Sequence, residues 1–572
     1  MTIQEIKQHL GIIGMMHFSK ALTEDGTPLI TTNSDGSIIE WAKYWCETKR
    51  IQVEIPISLI EFATTSEKLA LTEPVAKQDK NGVYTHYELY ECQRKKIAEG
   101  NAGILIRSST FIEYENSHSW ALYDDNTLVI SGNGELPHHN NEEYWTGDRT
   151  VDYTPWASYQ EVITSIVIQN GITGIAAKQY CQCKYEDNLW DNCCNRFHKY
   201  ENLKTISFPE SALNIHRGSY GKSLCSIEVD SRNPNYSSEN GVLFNKQKTK
   251  LLVYPKGKTD TKYIIPESVE TITYYAFSGC CNLNSIEIPE SVQSIGRYAF
   301  SGCDKIKSIC IPKNVKSIWE DAFDKCSSLT SIVVDEKHNT YFSLDGVLMV
   351  RWIEERGVSL CRYPEGKKEP HYIIPDIVNE IDGGAFRNCS ELVSIIIPSS
   401  VFYIRNELDV NVEQPFFYGC SKLESIYVDS GNPEYSSENG VLFDKLKTVL
   451  LRYPEGKRDT HYIIPPTVID IGVDAFSGGC NLTSLTIGEN VKNIAIDFKD
   501  CNNLKLIHSK AKNPPKEWFG NSIDWFYYNN TCTLSVPVGC KDKYVNQQSY
   551  WGLFKSIRED SDSSEVTETY IL

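Results

Sequence analysis

Cysteine and histidine crowd one short stretch of this chain, CQCKYEDNLWDNCCNRFH at residues 181–198. Cys181, Cys183, Cys193, Cys194 and His198 form the pattern C-x-C-x9-C-C-x3-H. Thiolates and an imidazole are the ligand types of zinc. The spacing is not the usual C-x2-C pair met by a second pair, and a local disulfide or free thiols fit the same residues. Cys181, Cys193, Cys194 and His198 are therefore the metal candidates, with Cys183 beside them. His118 and the pair His138-His139 lie in polar surroundings and read as solvated. No G-x-S-x-G, P-loop, H-E-x-x-H or dinucleotide-binding glycine pattern occurs, so no catalytic residue and no cofactor is assigned.

Other cysteines recur at one register: Cys183, Cys280, Cys303, Cys326, Cys389, Cys420, Cys480 and Cys501. Phe277, Phe300 and Phe323 are 23 positions apart, and so are Cys280, Cys303 and Cys326. The unit reads A-F-x-x-C-x-x-L-x-x-I-x-I-P-x-x-V-x-x-I-x-x-x. Its I-x-I step is the period-2 signal of a short strand. One such coil cannot bury its own apolar face. Stacked coils can, with equivalent side chains in ladders about 4.8 Å apart. A ladder cysteine is then a small buried hydrophobe that remains a thiol.

A longer repeat lies over the first. CSIEVDSRNPNYSSENGVLFNKQKTKLLVYPKG begins at Cys225, and ESIYVDSGNPEYSSENGVLFDKLKTVLLRYPEG begins at Glu424. A divergent copy spans 331–389. Within each, GVLF and LLxYP segments flank a polar turn, which predicts a β-hairpin inserted between coils. Strand cores are expected near Ile166, Ile206, Ile227, Ile264, Ile286, Ile309, Ile332, Ile373, Ile395, Ile426, Ile463, Leu485, Leu506 and Leu534. They predict one curved solenoid over residues 161–530.

The middle residue of each I-x-I step faces outward: Val167, Ser207, Glu228, Ile264, Glu287, Cys310, Val333, Ile373, Ile396, Tyr427, Ile463, Thr486 and Ser535. The stretch from Val333 to Ile463 is apolar, which suits a ligand patch. Ile264, Ile373 and Ile463 each follow a hairpin, and the hairpins are expected to fold over them. Val333, Ile396 and Tyr427 are the candidate binding residues; their other reading is core covered by the same hairpins.

A repeat array needs caps. WALYDDNTLVISGNG at 120–134 predicts a hairpin, and Trp120 with Trp156 would cover the first coil. TLSVPVGC and the aromatic stretch Tyr544 to Phe554 predict a last strand and a closing helix within 531–557. Residues 558–572 read as a disordered acidic tail. Residues 1–112 carry no repeat and are assigned to a small α+β domain, with a helix at 3–22 and strands at 51–62 and 103–113.

The 572 residues are 41% hydrophobic and 23% charged, as in a folded protein. The net charge of -18 argues against nucleic acid and anionic membranes as partners. No apolar run reaches the length of a membrane span. The N-terminus, MTIQEIKQHLGIIGMMHF, shows no cationic and apolar leader pattern.

The unit AFSGCxxLxSIxIPxSVxSIG resembles the BspA-like leucine-rich repeat family of bacterial surface and secreted proteins. WALYDDNTLVISGNGEL followed by TPWASY is similar to the segment that precedes such arrays, and TLSVPVGCKDKYVNQQSYWGLFKSI resembles their C-terminal cap in Bacteroides-type members. The resemblance covers roughly 119–557. It implies a right-handed solenoid, mostly β, that binds a protein or glycan ligand and is exported. A non-enzymatic binding or adhesion module is the leading expectation. An effector or enzyme seated in residues 1–112, with the repeats as a targeting arm, and a structural component of a surface assembly are the alternatives.

Overall fold

The computed structural model describes, side chains included, residues 118–134, 136, 156, 158–174, 200–215, 220–319, 321–352, 357–405, 417–473, 475–478, 481–494, 498, 501–516, 532–545 and 551–560; before residue 118 it describes chiefly the backbone of strands. The chain divides into two compact units, Met1–Lys258 and Thr259–Leu572.

In the first unit, strands Ser19–Lys20, Ile38–Cys46, Ile51–Pro56, Gly82–Glu91 and Leu69–Leu71 form one sheet, with Ile30–Thr32 and Val75–Asp79 attached. The expected strands are found at Ile51–Pro56 and as a hairpin of Leu105–Ser108 with Phe111–Tyr114. Residues 19 and 20, expected in a helix, pair instead with Ala42 and Lys43 as a strand; the rest of that helix lies outside the described residues. Strand Lys96–Asn101 joins the cap sheet, so that sheet reaches back across the boundary expected at residue 112.

The N-terminal cap matches its pattern. His118–Tyr123 and Thr127–Gly132 pair antiparallel around the Asp124-Asp125-Asn126 turn, where Asn126 takes a left-handed φ of 64°. Thr127–Gly132 then pairs in parallel with Ser165–Ile168, followed by Thr205–Phe208 and Ser226–Val229. Trp120 and Trp156 meet edge-on at 6.3 Å, both buried over this sheet's Ile166, Ile168 and Ile206.

In the second unit the coils contribute strands to a first parallel face, and most add a two-residue strand to a second; where a hairpin is inserted, its last strand takes that place. The first face comprises Lys262–Ile264 with Ser285–Glu287, Ser308–Ile311 with Ser331–Val334, His371–Ile373 with Ser394–Ile397 and Ser425–Val428, and His461–Ile463 with Ser484–Ile487, Leu506–Ser509, Thr533–Val536 and Ser556–Glu559. All fourteen expected strand cores fall in strands. Over the described residues the fold is a leucine-rich repeat solenoid, mostly strand with very little helix.

The core holds the expected ladders. Phe277, Phe300 and Phe323 stack at centroid spacings of 5.3 and 5.6 Å. Each hairpin keeps its column filled: Tyr363 of the R-Y-P-E-G segment stacks 5.6 Å from Phe386, and Tyr453 lies 5.5 Å from Phe476. Gly366 and Gly456, which close these segments, must be glycine. A Cβ there would stand 2.5 Å from the Ser328 carbonyl carbon and 2.4 Å from that of Lys422.

At the far end, the short helix Lys541–Val545 and the turn Tyr550–Leu553 bury Tyr544, Trp551 and Phe554. Residues 558–560, expected to open a disordered tail, are ordered instead; the rest of that expected tail lies outside the described residues. Ser556–Glu559 is a strand on Thr533–Val536, and the Asp560 carboxylate accepts the Ser535 hydroxyl at 2.6 Å and meets His508 Nε2 at 2.7 Å.

Candidate binding face

The face is built by the S-I-x-I step. The first apolar residue of each step points inward, as Ile395 and Ile426 do, with the half-buried Tyr372 in that place before Ile373, and the middle residue points out because side chains alternate along a strand. The parallel register sets Ile373 opposite Ile396 and Ile396 opposite Tyr427. These three side chains form an unbroken apolar row on one three-stranded sheet. They are 66%, 37% and 49% exposed.

Val333 is also exposed, but its neighbour in register is Cys310, on a separate two-stranded sheet. Thus the structure brings Ile396 and Tyr427 together and sets Val333 apart. Elsewhere the row is interrupted by polar residues. Ile264 stands beside Glu287, which takes Lys262 in an ion pair of 2.5 Å. Ile463 is followed by Thr486, His508, Ser535 and Arg558.

The expectation that hairpins cover Ile264, Ile373 and Ile463 is overturned. They are 61%, 66% and 64% exposed. The reason is topological for the two hairpins of the second unit. Each hairpin's last strand, Val358–Arg362 or Val449–Arg452, pairs with the second face at Glu380–Ile381 or Asp470–Ile471. The hairpin therefore extends the second sheet and leaves the first uncovered. Sequence reasoning missed Ile373 for this reason, although its place in the row was visible.

The ladder cysteines are packing residues with a polar task. Each thiol donates to the carbonyl of the aromatic ladder residue one coil before: Cys303 to Phe277 at 3.2 Å, Cys326 to Phe300 at 3.1 Å, Cys420 to Phe386 at 3.0 Å and Cys501 to Phe476 at 2.9 Å. Cysteine fits here because it is small, apolar and still a weak donor. Burial pushes the Cys326 thiol up to about 12 and those of Cys303 and Cys389 well above the ordinary value, so they stay neutral. All twelve cysteines described with side chains are free thiols.

Among the described residues no three His, Cys, Asp or Glu side chains gather as a metal site. Cys181, Cys183, Cys193, Cys194 and His198 lie outside the described residues, as does ladder Cys480. Among the described residues no helix is long and apolar enough to cross a membrane.

A buried charge cluster braces each R-Y-P-E-G segment. Arg362 donates to the Gly384 carbonyl at 2.7 Å, to Asp324 at 3.3 Å and to Glu365. Glu365 also accepts the Lys325 backbone N–H at 2.7 Å. Burial, with the Asp324 carboxylate nearby, outweighs the Arg362 attraction and pushes the Glu365 carboxyl up to about 7. Arg452 and Glu455 repeat the pair at 2.7 Å. These groups pair with one another and with backbone, and they serve the fold.

The family model for the BspA type leucine rich repeat region matches in six copies, over residues 256–343, 367–440 and 458–535. The two gaps fall on the hairpin insertions. Among solved structures, the chain is similar to a leucine rich cell surface protein from Faecalibacterium prausnitzii, at 22% identity, covering 70% of this chain and 95% of that one, with a TM-score of 0.36. It is also similar to the pneumococcal vaccine antigen PcpA, at 18% identity, 81% and 100% coverage and a TM-score of 0.38. A leucine-rich repeat protein from Bacteroides ovatus shares 19% identity, with 72% and 96% coverage and a TM-score of 0.29. No curated protein matches the sequence.

Proposed function

We propose that this chain, whose residues 256–343, 367–440 and 458–535 match the BspA type leucine rich repeat region, is a non-enzymatic binding module that presents its first sheet face to a protein ligand. The observation that carries the reading is the row Ile373, Ile396 and Tyr427, aligned in register and open to solvent. Exposed apolar side chains in one patch cost solvation unless a partner covers them. A rigid parallel sheet holds them in place beforehand, so little ordering entropy is lost on binding. Tyr427 adds an aromatic body with a hydroxyl, the residue type enriched at interaction hot spots. Polar groups rim the row: His371 Nδ1 meets Ser394 Oγ at 2.8 Å, and Arg458 pairs with Glu424 at 2.8 Å. A place at the bacterial cell surface fits this role.

The test is a protein and glycan array probed with the full chain at micromolar concentration, beside the variant Ile373→Ser/Ile396→Ser/Tyr427→Ser. Retention of a protein ligand by the parent, and at least tenfold weaker retention by the variant, is expected; tenfold corresponds to about 1.4 kcal/mol. Equal retention by both, or turnover of a substrate with no ligand retained, overturns the proposal.

A further inference from the structure

Val333 borders a cleft of about 330 Å³ at the base of the middle hairpin copy, lined also by Asp335, Glu336, His338, Phe342 and Arg351. The other two copies of the same hairpin show what usually fills this corner. There a lysine reaches back from the second hairpin strand. Lys246 Nζ donates to the Ser231 carbonyl at 2.7 Å, and Lys445 Nζ donates to the Ser430 carbonyl at 3.0 Å and to that of Asn432. The neighbouring serines Ser237 and Ser436 donate across the hairpin to the carbonyls of Asn245 and Asp444.

In the middle copy both positions change together. Phe342 stands where the sister copies have Ser237 and Ser436, and Arg351 stands where they have Lys246 and Lys445. The Arg351 guanidinium lies over the Phe342 ring, 3.8 Å from its centroid. Stacking commits the cation to the ring. Among the described residues no side chain donates to the Glu336 carbonyl, the counterpart of Ser231 and Ser430. The acceptors of the ammonium site therefore remain while its resident ammonium is gone. Two exposed carboxylates flank it. Asp335 is oriented by accepting the Lys337 backbone N–H at 2.8 Å, and neither Asp335 nor Glu336 forms an ion pair among the described residues.

We propose that this cleft takes the ε-ammonium of a lysine on a protein partner, in the place that Lys246 and Lys445 fill in the sister copies. The lysine methylenes would lie on Val333, and the ammonium would meet the Glu336 carbonyl and the two carboxylates. The assignment deepens the reading of this chain as a protein-binding module and rests on it, but it concerns a separate spot from the Ile373 row.

The experiment uses the full chain and a blocked peptide, acetyl-Gly-Lys-Gly-amide, beside its Nε-acetylated twin, read by saturation-transfer difference NMR. The parent peptide is expected to give signal on its lysine methylenes. The twin is expected to give about tenfold less, the size of one charge-assisted hydrogen bond. Phe342→Ser/Arg351→Lys rebuilds the sister copies, whose own lysine fills the corner, and should lose the signal to the same degree. Asp335→Asn/Glu336→Gln, at exposed positions, should lose it without touching the hairpin core. Equal signal from both peptides, undiminished signal in either variant, or no signal from the parent overturns the proposal. Ile373→Ser/Ile396→Ser/Tyr427→Ser should keep the cleft signal, so failure of the sheet-face reading shows itself apart from failure of this one.

Discussion

At position 338 a histidine does the work that asparagine does in the sister copies. Asn233 and Asn432 each donate to two carbonyls of the preceding coil and accept two backbone N–H groups through Oδ1. In the middle copy His338 Nδ1 accepts the N–H groups of Thr340 and Tyr341 at 3.1 and 3.0 Å, so its Nε2 carries the proton and donates to the Val315 carbonyl at 2.8 Å. His338→Asn should therefore cost under about 1 kcal/mol, whereas His338→Ala, which strands three buried backbone groups, should cost about 2–3 kcal/mol. Chemical denaturation of the three proteins checks both. The cysteines separate at the same scale. Cys303, Cys326 and Cys389 are buried and held neutral, whereas Cys281 and Cys310 are exposed. Brief alkylation of the native chain, mapped by mass spectrometry, should modify Cys281 and Cys310 and spare the three ladder thiols, because the thiolate is the reacting form. Modification of Cys303 at the rate of Cys281 would contradict the ladder role.

Each inserted hairpin is tied to its coil by the Tyr-Pro segment, and the chain carries two solutions for the charges there. The second and third copies read R-Y-P-E-G, with a buried Arg–Glu pair; the first reads Val253-Tyr254-Pro255-Lys256-Gly257, with none. Arg452→Ala leaves Glu455 buried without its partner and should cost about 3–5 kcal/mol. Arg452→Val/Glu455→Lys imports the first copy's solution and should cost clearly less than the single change; denaturant midpoints measure the difference. The Glu365 carboxyl titrates near 7, above the ordinary value of 4.5. A group raised on folding contributes stability fully present below the unfolded pKa and lost as pH rises through the folded one. Glu365→Gln should therefore melt progressively higher relative to the parent as pH rises from the ordinary 4.5 to about 7 and level off above it, and a pH-independent difference would refute this.

Most of this element level was legible in sequence. Phenylalanine and cysteine at a fixed spacing announce the ladders, and I-x-I announces the strands. The direction of the hairpins was not legible, because nothing in GVLF or LLxYP says which of two faces the last strand will join; that pairing decides whether Ile373 is core or surface. The cleft left a faint signal in the joint change of serine to Phe342 and lysine to Arg351, readable only once the three copies are aligned on a common hairpin register.

Across the whole repeat stack each coil touches only its neighbours, so an end coil has no second partner and must be closed by something other than a repeat. In the second unit that closure is made by Tyr544, Trp551 and Phe554, all buried, with Tyr544 Oη donating to the Ala511 carbonyl at 2.8 Å and Trp551 Nε1 to the Pro515 carbonyl at 3.0 Å. Burying three large side chains is worth roughly 5–9 kcal/mol at about 1.5–3 kcal/mol each. The cap also covers a strand edge. Leu506–Ser509 pairs with Thr533–Val536, which pairs in turn with Ser556–Glu559. A chain ending at residue 530 would lose both, baring Leu504 and Ile507 together with a row of open backbone groups, the template for association between chains. Such a chain should bind a hydrophobic dye, show larger species by light scattering, and exchange its Leu506–Ser509 amides within minutes, while the Ile286 and Ile309 strands deep in the stack stay protected. Loss should spread from the cut end inward, because nearest-neighbour coupling carries stability along the array. If the truncated chain stayed monodisperse with unchanged exchange at Leu506–Ser509, the coils would be stable without a cover, and stacking between neighbours would not be what holds the ladders and the exposed rows in place.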